Sequence, residues 1–198
     1  MGKLIVVVGS SGVGKTTLVR LLCKQGGFGS GLEEHVERPF QALFKTDPRF
    51  ALANQFDYLL LRAEQERDLR SREEVGIQDG GLEMDFFVFT RLFHRKGLLS
   101  VHEYALCERL YAQVRAAQPA PDGILWLQAP LDVVVQRFAR RGRTLEIAVR
   151  DDLQSIAALL NEWLKDVSPS RLLRLDASED DPAYRRCLPA ALDFIGRI

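Results

Sequence analysis

A surplus of charge of either sign is missing from this sequence: 27 Lys and Arg stand against 27 Asp and Glu in 198 residues, so the formal net charge at pH 7 is zero. A protein that lives by neutralising nucleic-acid phosphates carries a basic surplus, so its absence excludes a sequence-independent DNA or RNA coat. Cysteine is scarce. Cys23, Cys107 and Cys187 lie far apart with no CxxC pair, which excludes a disulfide scaffold or a zinc-stapled mini-domain. Each neighbours a leucine (Leu22, Leu106, Leu188) and reads as small apolar packing in a reducing, cytoplasmic compartment. No apolar run is long enough for a membrane span, and Leu4–Val8 is too short for a signal-peptide core. Met1-Gly2 invites myristoylation, but Val6 stands where that motif wants Ser or Thr. Internal repeats and low-complexity segments are absent too.

What is present is a globular composition, 46% hydrophobic and 27% charged. A chain of this length buries about 70% of the surface its unfolded form exposes, and a single domain over residues 1–198 is expected. Leu4-Ile5-Val6-Val7-Val8 has the unbroken apolar character of a central parallel strand covered on both faces. A helix is expected over 16–24, ended by Gly26-Gly27, then a short strand within 29–36 and a break at Arg38-Pro39. Further helices are read at 50–70, 82–95, 101–117, 132–140, 152–167 and 182–198, and further strands at 75–79, 123–128 and 171–176. Strands alternating with helices predict an α/β fold with a parallel sheet.

Gly9-Ser10-Ser11-Gly12-Val13-Gly14-Lys15-Thr16 is a complete GxxxxGK[ST] motif between a predicted strand and a predicted helix, with Thr17 next in the first turn. Its glycines let successive N–H groups face a phosphate, Lys15 adds a mobile cation, and Thr16 offers a hydroxyl to Mg²⁺. Other marks separate the classes that share this loop. Asp79-Gly80-Gly81-Leu82 is not DxxG, no NKxD is present, and no run of four apolar residues ends in Asp-Glu, so GTPases and hydrolytic motors are disfavoured. Arg137, Arg140, Arg141 and Arg143 cluster around Gly142 in a break between helices. Guanidinium forks there suit a lid closing over phosphates, or else a solvated helix end.

The order and spacing of five blocks resemble the deoxyribonucleoside kinase family over nearly the whole chain. They are the phosphate loop, Glu34-His35-Val36-Glu37-Arg38-Pro39-Phe40, Gln55-Phe56-Asp57-Tyr58-Leu59-Leu60-Leu61-Arg62, residues 79–89 and residues 137–146. The resemblance implies a P-loop NTPase three-layer sandwich with a five-stranded parallel sheet and an arginine-bearing lid at about 137–150. It implies transfer of the ATP γ-phosphoryl group, with Mg²⁺, to the 5′-hydroxyl of a deoxynucleoside, a small-molecule partner rather than a nucleic-acid polymer or a membrane. It also implies a homodimer through helices that include residues 92–117.

Position by position, the general base falls on Glu34, with Glu33 and Glu37 close by, and the lid arginines on Arg137, Arg141 and Arg143. Arg141 also lies against the ATP adenine, whose pocket is completed by residues 176–181. Gln55, Arg62, Asp85 and Phe89 match the nucleobase site, Glu146 the contact to the sugar 3′-hydroxyl, and Thr16 with Asp79 the metal site. The seven-residue spacing puts Gln55 and Arg62 on one helical face, and Asp85 and Phe89 stand at i and i+4. For Phe89, core packing with Phe86 and Phe93 is the alternative. An Arg beside an Asp favours adenine, guanine or cytosine over thymine, and a purine is the expectation.

Two positions depart from the family. Its acidic-Arg-Ser tripeptide is Asp79-Gly80-Gly81 here, and a Tyr that bacterial relatives place near Phe44-Lys45 is missing. Three readings follow: Arg38 compensates for the absent arginine; the enzyme takes another acceptor, such as a nucleoside monophosphate; or the chain binds nucleotides without transfer.

Overall fold

The computed structural model describes residues 2–31, 38–141 and 150–198, with Arg141 and Arg150 described by backbone alone. Five strands, β1 (Leu4–Val8), β2 (Gly29–Gly31), β3 (Gly76–Asp79), β4 (Gly123–Gln128) and β5 (Leu172–Asp176), form one sheet in the order β2-β3-β1-β4-β5. Every neighbouring pair is parallel. β1 is central and wholly buried, as its unbroken apolar run predicts.

Side chains alternate across a strand, so β1 feeds two cores. Leu4, Val6 and Val8 join Ile124 and Trp126 under helices α3 (Ala51–Arg70), α6 (Val101–Ala117) and α8 (Leu153–Leu164), which contribute Leu59, Cys107 and Leu159. Ile5 and Val7 join Leu125 and Leu127 under α1 (Lys15–Gly26), α7 (Leu131–Arg141) and α9 (Cys187–Gly196), which contribute Leu18, Val134 and Leu188. Each such buried aliphatic side chain stabilises the sheet by roughly 1.5–3 kcal/mol. This is the expected three-layer sandwich with a five-stranded parallel sheet. All three cysteines are free, and among the described residues no helix is long and apolar enough to cross a membrane.

Three local expectations change. Pro39, read as a break, opens the helix α2 (Pro39–Thr46), because proline lacks only a donor that the first turn leaves unused anyway. The stretch 82–95 is helical but not uniformly α: α4 (Leu82–Met84) and α5 (Arg91–Arg95) flank a π-helical turn, Asp85–Thr90. The last helix starts at Cys187 rather than 182, after Tyr184 takes a left-handed backbone with φ of 49°.

Strand order reverses at β1, with β3 on one side and β4 on the other. Open parallel sheets bind ligands outside the carboxyl ends of their strands at such a switch point. The phosphate loop leaves β1 there, and Asp79 ends β3 beside it.

Candidate active site

Residues 9–14 turn from β1 into α1, whose first turn carries no acidic side chain. The N–H groups at a helix start point outward along its axis, so they and the helix dipole present a positive, donor-rich end to an anion. Lys15 Nζ curls back over the loop and donates to the carbonyls of Gly9 at 3.0 Å and Ser10 at 3.2 Å. Thr16 Oγ1 donates to Asp79 Oδ2 at 2.5 Å, joining the first turn of α1 to the end of β3. A hydroxyl and a buried carboxylate in contact at the mouth of a phosphate loop are the hard oxygen donors that Mg²⁺ accepts, one or two from protein and the rest from water and phosphate. These residues fit the ion.

On the other side of β3, α3 carries Gln55 and Arg62 on one buried face, and both reach Asp85. Gln55 Nε2 donates to the Asp85 backbone carbonyl at 3.0 Å, and Arg62 Nε donates to Asp85 Oδ2 at 2.8 Å. The Thr90 hydroxyl donates to the same Asp85 carbonyl at 2.9 Å. Side chains inserted at a helical carbonyl loosen the i→i−4 ladder, which accounts for the π-turn at this point. Within that turn residues five apart become neighbours, so the i, i+4 relation expected for Asp85 and Phe89 gives way to one between Asp85 and Thr90. Phe89 is half-buried against the core, whereas Phe86 and Phe93 are buried within it; Phe86 stacks on Tyr111 with ring centroids 4.4 Å apart.

Gln65 and Gln78 extend the network, with Arg62 Nη1 donating to Gln65 Oε1 at 3.1 Å and Gln78 Nε2 to the same oxygen at 3.2 Å. Nothing in their spacing singled out Gln65, Gln78 or Thr90, because amides on buried helices and strands look like any polar residue until their partners are known. The site joins up at Gly80. Its N–H donates to the Val7 carbonyl at 2.9 Å, and a Cβ there would lie 3.3 Å from Arg62 Nη2. Both Gly80 (φ 90°) and Gly81 (φ 105°) use backbone conformations that L side chains rarely adopt, so a side chain at either position would strain this turn.

Behind it, Glu66 of α3 and Glu83 of α4 share Arg115 of α6. Arg115 Nη2 donates to Glu66 Oε2, and its Nε lies 3.2 Å from Glu83 Oε1 without hydrogen-bond alignment. Burial pushes the Glu83 carboxyl up to about 7 against the pull of Arg115, with Glu66 adding to the rise.

Several expected residues stand elsewhere. Arg137 donates to the carbonyls of Ala177 at 2.5 Å, Ser178 at 3.4 Å and Glu179 at 2.6 Å, on the segment after β5, not to the phosphate loop. Arg38 is held by Asp57 through Nε at 2.5 Å and Nη2 at 2.6 Å. Glu34, with Glu33 and Glu37, and Arg143 and Glu146 lie outside the described residues, as does the Arg141 side chain. Tyr184, unmarked in the sequence, reaches the phosphate loop from the segment after β5, its hydroxyl donating to the Gly14 carbonyl at 3.1 Å.

The sequence profile of the deoxynucleoside kinases matches residues 5–186. The chain belongs to the deoxynucleoside kinase family. This kinase is 27% identical over 182 residues to the deoxyadenosine/deoxycytidine kinase of Bacillus subtilis (strain 168), covering 90% of this chain and 84% of that protein. Its fold matches deoxyadenosine kinase from M. mycoides with the products dCMP and a flexible dCDP bound, at a TM-score of 0.82 and 19% identity over 98% of this chain and 100% of that one. The same M. mycoides enzyme with bound dATP gives a TM-score of 0.79 at 19% identity, over 97% and 98% of the two chains. As a member of its family, the kinase is an ATP-dependent phosphotransferase acting on deoxynucleosides.

Proposed function

We propose that the kinase transfers the ATP γ-phosphoryl group to the 5′-hydroxyl of a purine deoxynucleoside as one domain, with a lid at about 137–150. The observation that carries this reading is the continuity of two sites: Asp79 holds Thr16 of the phosphate loop, and the next residue, Gly80, lies against Arg62, which is paired with Asp85. This continuity supports a donor site and an acceptor site on either side of one turn.

Residues Gly9 to Thr16, with Thr17, hold the ATP phosphates by N–H donors and the Lys15 cation. Thr16 and Asp79 hold Mg²⁺, which supplies charge neutralisation on the phosphate oxygens when bound. Glu34 takes the 5′-hydroxyl proton; a loose phosphoryl-transfer transition state needs only a positioned carboxylate, contributing ~10²–10⁴-fold. Arg141 and Arg143 stabilise phosphoryl charge, and Glu146 orients the sugar. Arg137 serves this site indirectly, by fixing the carbonyls of residues 177–179 next to the donor base.

Gln55, Arg62, Asp85 and Phe89 receive the acceptor base. Arg62 and Asp85 together offer donors and an acceptor, matching bases that carry an exocyclic amine beside a ring nitrogen or carbonyl. The names of the Bacillus and M. mycoides relatives support such bases, adenine foremost. A homodimer through α5 and α6 and a cytoplasmic location complete the reading; Val101 and Leu106 are exposed on α6.

A coupled ADP-release assay with Mg·ATP tests it, using deoxyadenosine, deoxyguanosine, deoxycytidine, thymidine and their monophosphates as acceptors. Fastest turnover is expected on a purine deoxynucleoside, reduced ~10²–10⁴-fold by Glu34→Ala. Turnover on monophosphates alone would identify a nucleotide kinase. ATP binding with no transfer to any acceptor would identify a nucleotide-binding module and overturn this reading.

A further inference from the structure

We propose that Tyr184 is a positioning residue for the donor phosphate site, its hydroxyl setting the direction of the N–H groups that the phosphate loop presents. The proposal rests on the reading of that loop as the ATP site.

Tyr184 lies between β5 and α9, buried in the core beneath α1. Its hydroxyl donates to the Gly14 carbonyl at 3.1 Å and points at the Val13 carbonyl at 3.5 Å. The Gly14 carbonyl also accepts from the N–H groups of Thr17 at 3.1 Å and Leu18 at 3.2 Å. A trans peptide is planar, with its C=O and N–H opposed. Holding the Gly14 carbonyl toward α1 and Tyr184 therefore aims the Lys15 N–H the other way, into the loop. The Val13 carbonyl does the same for the Gly14 N–H.

The fit is reciprocal, since a Cβ on Gly14 would stand 1.9 Å from the Tyr184 hydroxyl oxygen. The ring end occupies the notch that glycine leaves. Tyr184 is also the single non-glycine residue with positive φ among those described, a conformation unfavourable for an aromatic and one that persists where surrounding contacts over-determine it. Those contacts are present. The Tyr184 N–H donates to the Asp181 carbonyl at 3.0 Å, and Asp181 carboxylate oxygens accept from the N–H groups of Ala183 at 3.0 Å and Arg185 at 2.8 Å. Leu188 N–H then donates to the Tyr184 carbonyl at 2.8 Å, opening α9. The start of the segment is pinned to α7 by Arg137. One chain of contacts thus runs from the lid-bearing helix through the post-β5 segment to the phosphate loop.

A ring that merely fills the notch does so with or without its hydroxyl, whereas orientation needs the hydroxyl. Tyr184→Phe separates the two, and the Gly14 carbonyl keeps its two helical partners in the variant, so the fold is retained; a thermal melt verifies this. Binding of ATP, of inorganic tripolyphosphate and of deoxyadenosine to the full chain is measured by calorimetry with Mg²⁺ present. Tyr184→Phe is expected to weaken ATP and tripolyphosphate by the same factor, about tenfold, with deoxyadenosine affinity and melting temperature retained. Wild-type affinity for both phosphate ligands in Tyr184→Phe would overturn the proposal, as would weakening of ATP without weakening of tripolyphosphate. Failure of the wild-type chain itself to bind either would instead overturn the reading of the loop as the donor site.

Discussion

The two halves of the proposed active site are built from different materials. The donor half is mostly backbone: a glycine-rich turn, the N–H groups opening α1, and one lysine folded over them. The acceptor half is made of side chains from α3, β3 and the π-turn, buried except for the half-buried Gln65 and each defined by its partners. Backbone donors come ready-made from a short motif, and losing one side chain beside them leaves the surrounding fold intact. A buried side-chain network has no such independence, so binding and stability rest there on the same groups. The donor half should therefore fail in function alone, the acceptor half in function and fold together.

The strongest way to break this contrast is Arg62→Leu. It leaves the Asp85 carboxylate, 9% exposed, without its cation, and loss of one partner from a buried pair costs about 3–5 kcal/mol. Denaturant unfolding should show a loss of that size. If stability were unchanged, the acceptor half would be no more integral to the fold than the loop. On the donor side, Lys15→Ala should lower kcat/KM by about 10²–10³-fold, the usual effect of removing one preorganised charge-stabilising donor, while moving stability by less than about 1 kcal/mol. Steady-state kinetics and a melt on the same preparation read both.

The smallest effect sharpens the contrast through pH. With Glu83 pushed up to about 7, above an ordinary 4.5, the folded chain holds a proton that the unfolded chain releases across that window. The resulting stability is fully present below about 4.5 and is lost as pH rises through about 7. The groups facing Glu83 are Arg115 and Glu66, with Arg171 farther off and Tyr111, whose phenol is pushed up chiefly by burial and then by Glu83. Glu83→Gln keeps the shape and removes the ionisation, so its melting temperature should match wild type near pH 5 and exceed it near pH 8. Parallel melting curves at all pH values would show that Glu83 stays ionised in the fold.

The same contrast governs what could be read in advance. The strands, the long helices α3 and α6 and the phosphate loop rest on local pattern: an apolar run, a helical spacing, glycines at set intervals. Gln55 and Arg62 were legible as a pair through the family resemblance, and their seven-residue spacing put both on one face of α3. The π-turn was not, since it answers to two donors, from Gln55 and Thr90, arriving at one carbonyl. Tyr184 and the late start of α9 depend on a contact 170 residues away in the chain, which no local pattern registers. Arg137 and Arg38 look like mobile cations in sequence, yet each is engaged in the fold, one by carbonyls and the other by Asp57.

The π-turn has a consequence for descent as well as for binding. A helical turn closed five residues apart holds one residue more than its α counterpart, so 82–95 amounts to two helices in different phase joined by a slip. Leu82 and Met84 before the slip and Leu92 and Phe93 after it all reach the core, with Asp85 and Thr90 at the slip itself. A relative that lacks the extra residue would align with this chain only through a single-position gap between Asp85 and Thr90. Such a gap would mark where the acceptor face had been free to rotate without disturbing the packing of α5.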